Sequence, residues 1–224
     1  MKPEPRSPAE TYGPALAAAL RDFQQLEPLV ASWKADVSYQ DGVFRVPFFG
    51  TTYQVTWPAG EVYQETPGGP PAAPITTCIV LLHYLIYADA TPVQGDWIAF
   101  RELPDGLIYD SAFQGRGPQA LLRAFGHDVA GLHRAARTLG GTKLDFGDAA
   151  YCFWVFPRLP LAVVLHEGDD EFPPALSLLY DRAAGHYLPT EDLASVGGML
   201  TGRLLRARSQ TPSPAEEEHD LEHC

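Results

Sequence analysis

The stretch AAYCFWVFPRLPLAVVLHEGDDEFPPALSLLYD (residues 149–181) decides the fold. It contains three runs of aromatic, β-branched and leucine residues, and these runs predict strands over 149–156, 161–166 and 175–180. We expect the last two strands to pair as neighbours through the turn at 168–174, because a short turn joins antiparallel strands. The stretch therefore predicts part of an antiparallel sheet.

The residues before this stretch alternate between helical and β patterns. Apolar residues at helical spacing predict a helix over 14–33 that Pro28 breaks or kinks. Alternating apolar residues on both sides of Asp41-Gly42 predict an antiparallel meander over 37–57. An almost wholly apolar run over 75–88 predicts a helix that lies in the interior.

Shorter elements are predicted between this interior helix and residue 149. Two short strands are expected over 96–101 and 106–109, and a short helix over 118–125. A second helix is expected to begin with Asp128 as its N-cap and to end at Gly140-Gly141. The basic residues of that helix are expected to face outward: His133, Arg134 and Arg137.

The last helix is expected to begin at Thr190, with Glu191 and Asp192 in the first turn, where the helix dipole favours anions. Runs of strands separated by helices predict an α+β fold, with antiparallel sheets and with N-terminal, central and C-terminal helices. Three tryptophans are expected in the core: Trp57, Trp97 and Trp154.

The domain organisation is predicted to be simple. Residues 1–10 are rich in proline and are expected to form a flexible N-terminus. Residues 11–206 are expected to form a single globular domain. Residues 207–224 form an acidic C-terminal tail that is expected to be disordered.

The charge and the cysteine content exclude several classes of function. The formal net charge of −12 is interrupted by no basic stripe, which disfavours nucleic acid and anionic membrane surfaces as partners. The three cysteines, Cys78, Cys152 and Cys224, include no CxxC pair and no quartet that would hold a metal cluster. Together with the lack of a basic-then-apolar leader, this content predicts a protein of the reducing cytoplasm.

The C-terminal half carries a resemblance to a known family. The ordered motifs FGDA, FPRLP, EGDDEFPP, LLYD and HYLPTEDL lie within residues 143–204. With the earlier blocks at 44–55 and 81–106, they resemble the bacterial and archaeal family of unknown function called DUF3786. The resemblance implies an α+β domain with no assigned activity. It also implies a setting near anaerobic redox or cofactor metabolism, in which a redox or iron–sulfur partner protein would supply the cluster that this chain lacks.

An acidic turn is the first candidate site. It follows the strand at 161–166 and contains Glu167, Asp169, Asp170 and Glu171. Four carboxylates, with or without His166, suit a hard cation that activates water, and this is the chemistry of a metal-dependent enzyme. The alternative is a solvated acidic turn. Proline and apolar residues occupy the ligand positions of a calcium-binding EF-hand loop, which excludes that motif.

A second set of candidates suits ligand binding. His83, Trp97 and Glu102, together with Tyr84, would line a pocket if the interior helix packs on the strand that contains Trp97. Asp181 and His186 follow the strand at 175–180, where His186 would serve as a base or ligand paired with Asp181. Each histidine also has a simpler interpretation, as a residue that hydrogen-bonds within the fold. The terminal HDLEHC offers a zinc or nickel site, with an acidic tail as the alternative.

These observations favour a non-catalytic accessory domain that binds a small molecule or a partner protein. The metal-dependent enzyme at 167–171 is the alternative. The sequence points to no particular cofactor.

Overall fold

The computed structural model describes residues 7–66 and 71–210. The helices and strands, in chain order, are α1 (Pro8–Phe23), α2 (Pro28–Ala35), β1 (Ser38–Gln40), β2 (Val43–Phe48), β3 (Thr51–Thr56), β4 (Val62–Gln64), α3 (Ile75–Tyr87), β5 (Trp97–Ala99), α4 (Gly106–Arg116), α5 (Pro118–Phe125), α6 (Val129–Thr138), β6 (Thr142–Leu144), β7 (Ala149–Phe156), β8 (Leu159–His166), β9 (Ala175–Asp181) and α7 (Thr190–Gln210). Two 3-10 turns follow β5 and β9, at Phe100–Glu102 and Arg182–His186.

The strands form two antiparallel sheets, so the predicted α+β class is confirmed. The first sheet is a meander in the order β1-β2-β3-β4. Val46 of β2 lies opposite Tyr53 of β3, and both are buried, which is the alternation that the sequence pattern predicts. The second sheet has the order β5-β9-β8-β7-β6, so β8 and β9 are neighbours as expected.

The chain divides into two compact units. The first unit contains the described residues of Met1–Ile98, Trp154–Pro160 and Tyr180–Val196, and the second contains those of Ala99–Phe153, Leu161–Leu179 and Gly197–Cys224. The predicted domain limits at residues 10 and 206 stay predictions, although α1 begins at Pro8 and α7 continues to Gln210. Residues 1–6 and the acidic tail from 211 lie outside the described residues.

An aromatic stack forms the centre of the first unit. The ring of Tyr84 on α3 lies parallel to that of Phe156, with 4.0 Å between ring centroids, and both side chains are fully buried. The Tyr84 hydroxyl donates to the carbonyl oxygen of Ala35 at 2.8 Å and accepts from the Arg158 N–H at 3.2 Å. These two bonds satisfy the buried hydroxyl. The interior position of α3 confirms the prediction from its apolar run.

Two helices of the second unit, α5 and α6, each bury one face. Leu121 and Phe125 of α5 and Leu132 and Ala136 of α6 are all fully buried. Asp128 is the N-cap of α6, as predicted, because its carboxylate accepts from the Gly131 N–H at 2.8 Å.

Two predictions of local structure were wrong. Residues 106–109 begin helix α4 and form no strand, and Leu107 and Ile108 are 75% and 76% exposed on it. Trp154 is 50% exposed on β7 and therefore does not belong to the core.

The predicted helix over 14–33 is two helices, and Pro28 begins the second, which confirms the break. No helix in the described residues is long and apolar enough to cross a membrane.

Candidate functional site

The carboxylates of the acidic turn point into solvent. Glu167, Asp169, Asp170 and Glu171 are all exposed. Asp169 Oδ1 accepts from the N–H groups of Phe172 and Glu171, at 2.7 and 2.8 Å, and these backbone bonds hold the pKa of Asp169 below its usual range. Within residues 7–66 and 71–210, no group of three or more histidine, cysteine or acidic residues is arranged to hold a metal ion.

Asp181 is a fully buried carboxylate in the first unit. It accepts hydrogen bonds from the N–H groups of Gln94, Gly95 and Ala183, at 3.1, 2.6 and 2.9 Å. These bonds fasten the loop that follows α3 to the turn that follows β9. The arrangement explains Asp181 as part of the fold, and its carboxylate faces backbone donors.

The two predicted histidines of the first unit each bind a carboxylate. His186 Nδ1 lies 2.7 Å from Asp89, and His83 Nδ1 lies 2.5 Å from Asp192. Burial raises the pKa of Asp89, but hydrogen bonds from Thr91 and His186 outweigh that effect and lower it to about 2. Sequence reasoning missed Asp89 and gave Asp192 only a helix-dipole role, because both partners are distant along the chain from the histidines they bind.

The remaining predicted ligand residues lie in different units. Trp97 is half-buried on β5 of the first unit. Glu102, in the second unit, accepts from the Ala99 N–H at 2.8 Å and so caps the 3-10 turn that contains it. That bond gives Glu102 a local structural role.

A basic pocket lies in the second unit, on a continuous piece of chain. Helix α6 ends at Thr138, and Gly140, with a φ of +71°, lies in the turn that leads directly into β6. Strand β6 pairs with β7 in antiparallel register, so that Lys143 lies directly opposite Tyr151. The bond between His133 Nδ1 and the Tyr151 hydroxyl, at 2.8 Å, joins the helix to this hairpin.

The pocket has a volume of about 400 Å³ and is open to solvent. Its lining residues are His133, Arg137, Gly141, Lys143 and Tyr151. His133 and Arg137 are four residues apart and therefore share one face of α6. A Cβ atom at Gly141 would come within 2.7 Å of the Phe153 ring, so a side chain at this lining position would collide with the ring.

Positive charge dominates this pocket. Burial, and then repulsion from Lys143 and Arg137, lowers the pKa of His133 below its ordinary value. Arg137 and Lys143 take part in no ion pair with any residue in the described parts of the chain. Asp128, at the start of α6, is already bonded to Gly131 and to Arg208. The cationic groups of the pocket are therefore free to bind an anion.

Sequence reasoning placed His133, Arg134 and Arg137 outward. The structure confirms this for Arg137, which is exposed, whereas His133 and Arg134 are half-buried. The sequence did not connect His133 and Arg137 with Lys143 and Tyr151. A signal was present, because residues 129–144 contain two arginines, a lysine and a histidine but no acidic residue. This segment carries three positive charges in a chain whose net charge is −12.

One comparison with known proteins gives a match. The family model described as "Domain of unknown function (DUF3786)" matches residues 27–203, which is more than three quarters of the chain. No curated protein and no solved structure matches the chain. The matched residues include the five ordered motifs that carry the resemblance in the sequence. The chain belongs to the DUF3786 family.

Proposed function

We propose that this chain is a non-catalytic accessory domain that binds an acidic small molecule in the basic pocket of its second unit. One observation carries the proposal. His133, Arg137, Lys143 and Tyr151 surround an open cavity of about 400 Å³ in a protein whose net charge is −12.

The size of the pocket suits a small molecule. Sites for small ligands and cofactors are concave and have volumes of roughly 300–1,000 Å³. The cavity falls within this range.

The charge of the pocket sets the sign of the ligand. Among residues 7–66 and 71–210, Arg137 and Lys143 have no carboxylate partner, so an acidic ligand that binds these two positive charges breaks no ion pair there. The negative charge elsewhere on the chain repels polyanions, whereas a small ligand experiences mainly the local field.

The proposal also includes the metabolic role of the domain. Family resemblance favours a role in anaerobic redox or cofactor metabolism beside an iron–sulfur partner protein. Its test is to purify the chain from its own host without oxygen and to measure iron and bound small molecules. Stoichiometric iron in a defined complex supports this setting, and an iron-free chain with no bound partner contradicts it.

The binding function is tested by nuclear magnetic resonance. Uniformly ¹⁵N-labelled chain is mixed with a panel of small acids, bases and neutral compounds, and amide shifts are followed. The proposal predicts saturable shifts confined to residues around the pocket, caused by acids. Shifts caused mainly by bases or neutral compounds, or no shifts near the pocket, would contradict it.

A further inference from the structure

The polar side chains of the basic pocket approach from two sides. His133 and Arg137 come from α6, whereas Lys143 and Tyr151 come from the β6–β7 hairpin. The backbone N–H groups of Gly140 and Gly141 are already bonded to the carbonyl oxygens of Arg137 and Ala136, at 3.0 and 2.8 Å. Side chains, and not these backbone groups, are therefore the groups left to contact a ligand.

This arrangement differs from what a carboxylate requires. A carboxylate is planar, has two oxygen atoms and carries one negative charge, so one arginine fork satisfies it. A phosphate monoester is tetrahedral, has three terminal oxygen atoms and carries close to two negative charges at neutral pH. Arg137 and Lys143 match those two charges, and donors on two sides match the tetrahedral shape.

In the tautomer in which the Tyr151 hydroxyl donates to His133 Nδ1, the proton lies on Nε2 and the neutral ring is a donor. Because the His133 Nδ1 atom is bonded to the Tyr151 hydroxyl, the Nε2 atom is the ring nitrogen left for a ligand. The same bond restricts the rotation of the His133 ring, so this donor is positioned before any ligand arrives.

We propose that the basic pocket binds the phosphate group of a small phosphorylated molecule, through Arg137 and Lys143, with His133 oriented by Tyr151. This inference rests on the proposed function, since it specifies the ligand of the same site. The volume of about 400 Å³ leaves room beside the phosphate for the organic part of such a molecule.

The test is a titration of the labelled full chain at about pH 8, where a phosphate monoester is fully ionised. The probes are phenyl phosphate and benzoate, which share the aromatic ring and differ in the acidic group. Phenyl phosphate is expected to bind at least about 10-fold more tightly, because it gains an additional charge-assisted hydrogen bond. The amide shifts should centre on residues 133–151.

Variants assign the binding to the pocket. Arg137→Gln and Lys143→Gln are each expected to weaken phenyl phosphate binding by about 10- to 100-fold. Arg123→Gln is the matched control, because Arg123 is exposed on α5 of the same unit and does not line the pocket. This variant removes the same charge and should bind phenyl phosphate as the unaltered chain does.

The outcomes separate the two proposals. Equal affinity for benzoate and phenyl phosphate in this pocket overturns the phosphate inference and leaves the proposed function standing. Phenyl phosphate binding that Arg137→Gln and Lys143→Gln do not weaken overturns the inference as well. If neither phenyl phosphate nor any acid of the panel shifts the pocket residues, both proposals fail. If a single-stranded oligonucleotide binds the pocket residues more tightly than phenyl phosphate does, the ligand is a nucleic acid and the inference is overturned.

Discussion

The Nδ1 atom of His133 lies 2.8 Å from the hydroxyl oxygen of Tyr151, and this bond connects helix α6 to strand β7. Tyr151 is only 4% exposed, so its hydroxyl depends on this partner. Lys143 lies opposite Tyr151 on the neighbouring strand, and Arg137 lies one helical turn from His133. This hydrogen bond therefore links the two elements that carry the lining residues of the basic pocket.

The first prediction concerns this contact. Tyr151→Phe removes the hydroxyl and keeps the ring, so we expect the free energy of unfolding to fall by about 1 kcal/mol. We also expect weaker phenyl phosphate binding, because the His133 ring is no longer held in place. Urea unfolding and the phosphate titration measure the two effects. Unchanged stability together with unchanged affinity would show that the bond does not position the pocket.

The second prediction concerns pH and stability. The pKa of His133 in the folded protein lies below its value in the unfolded chain. The unfolded chain therefore binds the proton more readily, and stability is lost as the pH falls from the ordinary histidine pKa toward the lowered one. Unfolding measured between about pH 8 and about pH 5 should show this loss, and His133→Gln should reduce it. An identical pH profile in the variant would contradict the assignment to His133.

The third prediction concerns pH and binding. Sulfate keeps its two charges over the whole range from about pH 8 to about pH 5.5, so a change in its affinity reports the protein alone. A bound dianion favours the protonated imidazole, and we expect sulfate to bind more tightly as the pH falls. The histidine ring resonances, followed with and without sulfate, should show a higher pKa for His133 in its presence. A pKa that sulfate leaves unchanged would place the anion elsewhere.

The fourth prediction concerns Asp181. Asp181→Asn replaces one of the carboxylate oxygens with an amide that faces N–H donors, and we expect a loss of about 1–3 kcal/mol in stability. Asp96→Asn is the control, because Asp96 forms an exposed pair with Arg182, and such pairs contribute less than about 1 kcal/mol. If both variants lose the same stability, Asp181 is not the structural carboxylate that its three bonds indicate.

The fifth prediction concerns acid stability. The pKa of Asp89 is about 2 in the folded protein, below its ordinary value of 3.8. Its carboxylate therefore stabilises the fold above about pH 4, and this contribution is lost as the pH falls toward 2. Asp89→Asn and His186→Gln should both flatten the dependence of unfolding on pH in this range. Variants that unfold in acid as the unaltered chain does would argue against the pair.

Much of the fold was predictable because its signals are local. The runs at 149–181, the cap at Asp128 and the helix start at Pro28 each depend on neighbouring residues. The prediction failed at 106–109, where Leu107 and Ile108 suggested a half-buried strand. They lie instead on the exposed face of α4, and apolar residues on a surface follow no periodicity that a sequence pattern can use.

The site was harder to predict, because its geometry depends on which elements meet. The partners of His83, His186 and Asp181 come from distant parts of the chain. For the basic pocket, the segment without acidic residues was visible in the sequence. The pairing of Lys143 with Tyr151 was not, because it is fixed by the register of β6 on β7.

The most direct measurement is a crystal structure of the full chain with phenyl phosphate. We expect phosphate oxygens within about 3.2 Å of the side-chain nitrogens of Arg137 and Lys143, in the pocket between α6 and the β6–β7 hairpin. Phenyl phosphate bound at another place on the protein, with this pocket empty, would contradict the account.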